Sequence, residues 1–138
     1  MNPLSYRISE EEKICYVTAH GRITLRSCID LMEESVRDPK TKPGYRVLVD
    51  LRKMKYAPES YEISNLTTYV TAKKDYFTGK IALVTTGYRN GFIVDMFCFG
   101  ATLGGMKVKR FSDMDEAGKW LDEPAVNSII GAQNSSDC

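Results

Sequence analysis

The chain has 138 residues, 43% of them hydrophobic and 27% charged, with 19 basic and 18 acidic side chains giving a formal net charge of +1. That length and composition predict one water-soluble domain with a single core that needs neither disulfides nor metal. The balanced charge excludes a global drive towards nucleic acid or anionic membrane, and no apolar stretch approaches the ~20 residues of a membrane-spanning helix.

The first residues, Met1-Asn2-Pro3-Leu4-Ser5-Tyr6, lack the basic-then-apolar pattern of a secretory leader, so the expected compartment is the cytoplasm. Two apolar runs, Leu4 to Ser9 and Lys13 to Ala19, flank Glu10-Glu11-Glu12 and predict an antiparallel hairpin. The turn His20-Gly21-Arg22 leads to Thr24, a helix cap, after which Leu25, Cys28, Ile29, Met32 and Val36 recur at helical spacing. Asp38-Pro39 ends that helix. Tyr45 to Leu51 is apolar on both faces around Val47 to Val49, as a central strand covered by helices should be.

After a loop from Arg52 to Ala57, Pro58 fits the first turn of a second helix with Ile63, Leu66, Val70 and Phe77 on its inner stripe. Lys80 to Thr85 is a second central strand. Asn90 to Gly104 reads as a third helix, apolar well beyond one face. Met106 to Phe111 alternates apolar with cationic residues, which suits an edge strand. Ser112 caps the last helix, whose core stripe is Met114, Ala117, Trp120 and Leu121. Residues 1–124 therefore form one domain, and the polar segment 125–138 is expected to be disordered. Right-handed crossovers make the later strands parallel.

Cys15, Cys28 and Cys98 fall in apolar patterns and are expected as buried, inert thiols, whereas Cys138 ends the polar tail. No metal or cofactor is expected, because no paired cysteines or histidine cluster appears. His20 is alone in a turn, without a nucleophile beside it in sequence. Gly100 and Gly105 have phosphate-loop spacing, but Met106-Lys107-Val108 follows where Lys-Ser or Lys-Thr belongs. The run Arg37, Lys40, Lys42, Arg46, Arg52, Lys53, Lys55 is either a solvated face or an anion site. Asp50 and Arg52 lie at the carboxyl end of a central strand, where open α/β sheets place ligand crevices; the plainer role for the Asp is to satisfy donors in the next loop.

In their order and spacing, Gly21-Arg22-Ile23-Thr24, Arg46-Val47-Leu48-Val49-Asp50-Leu51-Arg52, Lys80 to Val84, the helix around Phe92 to Phe97, Val108 to Phe111 and Trp120-Leu121 resemble the STAS family. The nearest branch is that of stand-alone bacterial SpoIIAA-like proteins, also described as STAS/SEC14-like. The resemblance covers residues 4–122. It implies an α/β fold with a mixed sheet of about five strands, an N-terminal antiparallel hairpin, later strands parallel, and four helices. It also implies a non-enzymatic module that docks other proteins. Anti-sigma factor antagonists of this family carry a serine that a partner kinase phosphorylates, and ungapped alignment from Asp50-Leu51 brings Ser60 to that position. Pro58, Glu59 and Tyr61 depart from the motif, and the alternative for Ser60 is an ordinary capping residue.

The expected function is thus regulation or scaffolding through a protein partner, either an anti-sigma-type kinase or a second copy of the chain. Its surface would be Phe92, Ile93, Met96, Phe97 and Phe99, extended by Tyr61, Tyr69 and Tyr76. The alternative is a small apolar, lipid-like ligand in a pocket beside the Phe92–Leu103 helix. A helix buried on two sides by the terminal helix and tail is the structural alternative to both.

Overall fold

The alternating residues on either side of Glu10-Glu11-Glu12 form the expected hairpin, β1 (Leu4–Ser9) against β2 (Ile14–Arg22). In this computed structural model, which describes residues 2–123, there follow α1 (Leu25–Arg37), β3 (Arg46–Tyr56), α2 (Ser60–Ala72), a 3-10 turn (Lys74–Tyr76), β4 (Ile81–Val84), α3 (Tyr88–Leu103), β5 (Val108–Phe111) and α4 (Met114–Asp122). The tail expected to be disordered, 125–138, lies outside the described residues, and Cys138 with it.

The strands lie in the order β1-β2-β3-β4-β5, with β1 antiparallel to β2 and all other pairs parallel. Residues 47–50 of β3 pair one for one with 81–84 of β4, so the two apolar runs are neighbouring inner strands. α1, α2 and α3 lie over one face, where Val17, Leu51, Leu66, Val70, Leu83 and Val94 share a core. α4 covers the other face, setting Ala117 and Leu121 against Ile14, Leu48, Ala82 and Val84. The last helix therefore does not bury α3.

Four local expectations need correction. β2 runs through His20-Gly21-Arg22 instead of turning there: a register irregularity and Gly21 at φ +67 let the strand bend while it still pairs with β3. β3 likewise continues through residues 52–56, because β2 extends alongside it as far as the Arg22–Tyr56 pair. Phe77 lies beyond the end of α2, after the 3-10 turn. The cap of α4 is Asp113, whose carboxylate accepts from the Asp115 N–H at 2.8 Å, and not Ser112. Thr24 caps α1 as expected, its hydroxyl accepting from Ser27 N–H at 3.1 Å while the Ser27 hydroxyl accepts from Thr24 N–H at 2.9 Å.

α2 and α3 touch through small residues: a Cβ on Gly100 would fall 2.8 Å from Thr67 Cγ2, and one on Gly104 2.5 Å from Thr71 Cγ2. Gly100 is thus accounted for by close helix packing. Among the described residues no helix is long and apolar enough to cross a membrane.

Candidate functional site: an apolar cavity under the first helix

The inner face of the sheet presents its side chains in rungs. Ile8, Cys15, Val47 and Ile81 are in mutual register at one end; Tyr6, Val17, Val49 and Leu83 form the next rung. Leu4, Ala19 and Leu51 lie further in. In a filled core all would be buried. Here the whole first rung is half-buried, the second mixes half-buried Tyr6 and Val49 with buried Val17 and Leu83, and only the innermost residues are buried throughout.

The roof explains this gradient. α1 is amphipathic, yet its most buried residues are Ser27 and Ser35, while Cys28, Leu31 and Met32 on its inner side remain half-buried. The helix stands off the sheet, leaving an apolar cavity of about 200 Å3. Leu31 and Met32 of α1, Leu66 and Val70 of α2 and Phe97 of α3 wall it from above. Buried Ile23, Met54, Pro58, Ile63 and Ile93 close the inner end. There the Asn90 side chain ties α3 to the end of β3, its amide donating to Met54 O at 3.1 Å and its carbonyl accepting from Ala57 N–H at 3.3 Å. The cavity opens at the amino ends of β3 and β4, where Ser35, Thr41, Lys42, Tyr45, Tyr76 and Phe77 form the rim.

Three titratable groups of the lining, Cys15, Cys28 and Tyr6, are held neutral. Burial pushes the Cys15 thiol up to about 11, with Asp38 adding to it, and burial pushes Cys28 up to about 12, with Glu62 adding. Tyr6 is raised to about 12 by burial and then by its hydrogen bond to Asp38 Oδ2 at 2.8 Å. Asp38 is in turn held below the ordinary carboxylate value by the Lys40 N–H and then by the Tyr6 hydroxyl.

The residues singled out in the sequence fall in separate places. Asp50 and Arg52 lie on the α4 side of β3, joined by two hydrogen bonds of 2.9 Å; the Arg52 side chain holds the Asp50 carboxyl below its usual range. Asp50 Oδ1 also accepts from the Arg52 backbone N–H at 3.1 Å, the donor-satisfying role. Ser60 is the exposed first residue of α2, flanked by Glu59 and Glu62. Phe92, Met96 and Phe99 face outward, and Phe92 and Phe99 are 61% and 69% exposed. Ile93 and Phe97 point the other way, into the cavity wall. Tyr61 is exposed on α2, Tyr69 is half-buried under Lys73, and Tyr76 stands at the rim. The basic run does not converge: Arg37 pairs with Glu33, Arg46 with Asp122 and Arg52 with Asp50, Lys40, Lys53 and Lys55 are exposed, and Lys42 stands at the rim. His20 is exposed, and no group of three or more metal-ligating side chains occurs among the described residues.

Sequence periodicity marked Met32, Val47 and Val49 as interior positions, but it gave no sign that they, with Leu31 and Asn90, border a cavity. A stripe of apolar residues looks the same whether its helix touches the sheet or stands off it.

The crystal structure of an uncharacterised protein of the DUF3478 family, with a SpoIIAA-like fold, from Shewanella loihica PV-4 matches this architecture at a TM-score of 0.58. The identity is 14%, and the match covers 88% of this chain and 95% of that one. No protein-family model matches the chain, and no curated protein matches it. The fold is SpoIIAA-like, as the order of strands and helices in the sequence led one to expect.

Proposed function

We propose that this protein is a non-enzymatic binding module that takes a small apolar molecule into the cavity between α1 and the sheet. The observation that carries this reading is the half-burial of Cys28, Leu31, Met32, Val47 and Val49, all of which face the interior. A cavity of about 150 Å3 lined by apolar side chains is enough to admit benzene, and this one is about 200 Å3. Left empty, a closed cavity of that size would cost on the order of 5 kcal/mol at 24 cal/mol per Å3, a figure the open mouth reduces. An apolar occupant recovers part of that loss, which places the small-ligand reading ahead of the partner reading favoured by sequence alone.

Native mass spectrometry of freshly purified protein tests it, with Val49→Phe as the filled-cavity control. The wild type is expected to carry a small apolar adduct, or to accept toluene with a rise in melting temperature, and Val49→Phe to do neither while remaining folded. A bare wild-type mass with no response to toluene would remove the reading.

A second reading has its own support. Phe92, Met96, Phe99 and Leu103 follow one another at spacings of four, three and four residues along the exposed side of α3, the spacing of a helix-pairing seam. Such a seam suits a second copy of the chain. A kinase partner acting at Ser60 has less to rest on, since Glu59 and Glu62 already place negative charge beside that hydroxyl.

A further inference from the structure

Resting on the cavity reading above, we infer that the ligand is a compact amphiphile: an apolar body of about eight carbons inside, and one anionic, hydrogen-bond-accepting head held at the rim by Lys42 with the phenols of Tyr45 and Tyr76.

The rim's polar groups divide into those already engaged and those still open. The Thr41 hydroxyl donates to Ser35 O, the Ser35 hydroxyl to Met32 O at 3.0 Å, and the Tyr6 hydroxyl to Asp38. The Asp38 carboxylate also receives the Lys40 N–H at 2.9 Å. Lys42, Tyr45 and Tyr76 make no side-chain hydrogen bond or ion pair among the described residues, although all three line the opening. What the rim offers is therefore three donors, one of them a fixed positive charge. The complementary group is an acceptor, and an anion before a neutral one.

The interior dictates where that group must stop. Beyond the rim the lining is aliphatic, aromatic and neutral thiol, and a charge carried inside would lose its hydration with nothing to replace it. The head stays at the mouth while the tail is buried. Size sets the tail: if about 150 Å3 admits the six carbons of benzene, 200 Å3 admits about eight. A two-chain lipid is too large to lie within.

The test is isothermal titration at pH 7.5 with octanoate and 1-octanol, on the wild type, Lys42→Gln and Val49→Phe. Lys42 is exposed, so its replacement leaves the fold intact. Octanoate is expected to bind the wild type up to about five-fold more tightly than 1-octanol, the upper range of one well-exposed charge contact, with the ratio shrinking in high salt. In Lys42→Gln the ratio should fall to about one, through loss of octanoate affinity, and Val49→Phe should weaken both ligands. Equal affinities in the wild type, or a ratio indifferent to Lys42→Gln, would overturn the head-group assignment and leave the cavity reading standing. Binding of neither probe to the wild type would overturn both.

Discussion

Cys28 and Cys15 show how single residues of this site are tuned. One hangs from the roof and the other lies on the floor, and burial holds both thiols protonated far above neutrality. Moving the Cys15 value from 9.0 to about 11 lowers its thiolate fraction at pH 7.5 roughly 100-fold, so alkylation should be slowed to a similar degree. In a Cys138→Ser background, iodoacetamide at pH 7.5 should label the native protein at least ten-fold more slowly than the urea-unfolded chain, and labelling at the free-thiol rate would contradict this environment. The linkage has a definite sign. Because the folded values are raised, stability from the neutral thiols is intact below about pH 9 and is lost as pH rises towards 11 to 12. That these cysteines face the apolar interior was legible from their context, although Cys15 and Cys28 are half-buried where full burial was expected, and Cys98 is buried. That two of them line a cavity was not legible.

At the scale of elements, periodicity located α1, β4 and the core of β3, because each repeats apolar residues at its own spacing. It lost the far ends of β2 and β3. His20-Gly21-Arg22 carries turn chemistry, and Arg52, Lys53 and Lys55 have no apolar alternation, yet the two segments pair with each other beyond the short β4. Arg22 stacks over the Tyr56 ring at that end, 4.7 Å from its centroid. For α3 the sequence showed too many apolar residues without saying which were outside. The outer seam gives a prediction: by analytical ultracentrifugation Phe99→Asp should shift a dimeric wild type to monomer while changing stability by less than about 1 kcal/mol, since Phe99 is 69% exposed. A monomeric wild type, or a variant of unchanged mass, would contradict the seam as a self-association surface.

Across the whole molecule the two faces of the sheet are filled differently. One short helix closes the α4 face, with Arg46 and Lys80 fastening its end through hydrogen bonds to Leu121 O, Trp120 O and Glu123 O. Three helices share the other face; α2 and α3 meet at Gly100 and Gly104, and α1 is left spanning a gap. The order of strands and helices, and so the SpoIIAA-like architecture, was readable from the chain. The gap was not, because it depends on how far one amphipathic helix sits from its neighbours. It opens at the amino ends of β3 and β4, away from the Asp50–Arg52 end to which strand polarity drew the eye. The most direct measurement of the central claim is a methyl 1H–13C spectrum titrated with octanoate. Resonances of Leu31, Met32, Val47, Val49 and Ile81 should move with one shared saturation curve, while those of Leu103 and Leu121 stay fixed. Saturation of the Leu103 signal with the cavity methyls unmoved would show that the apolar molecule sits on α3, and that the space beneath α1 is not a binding site.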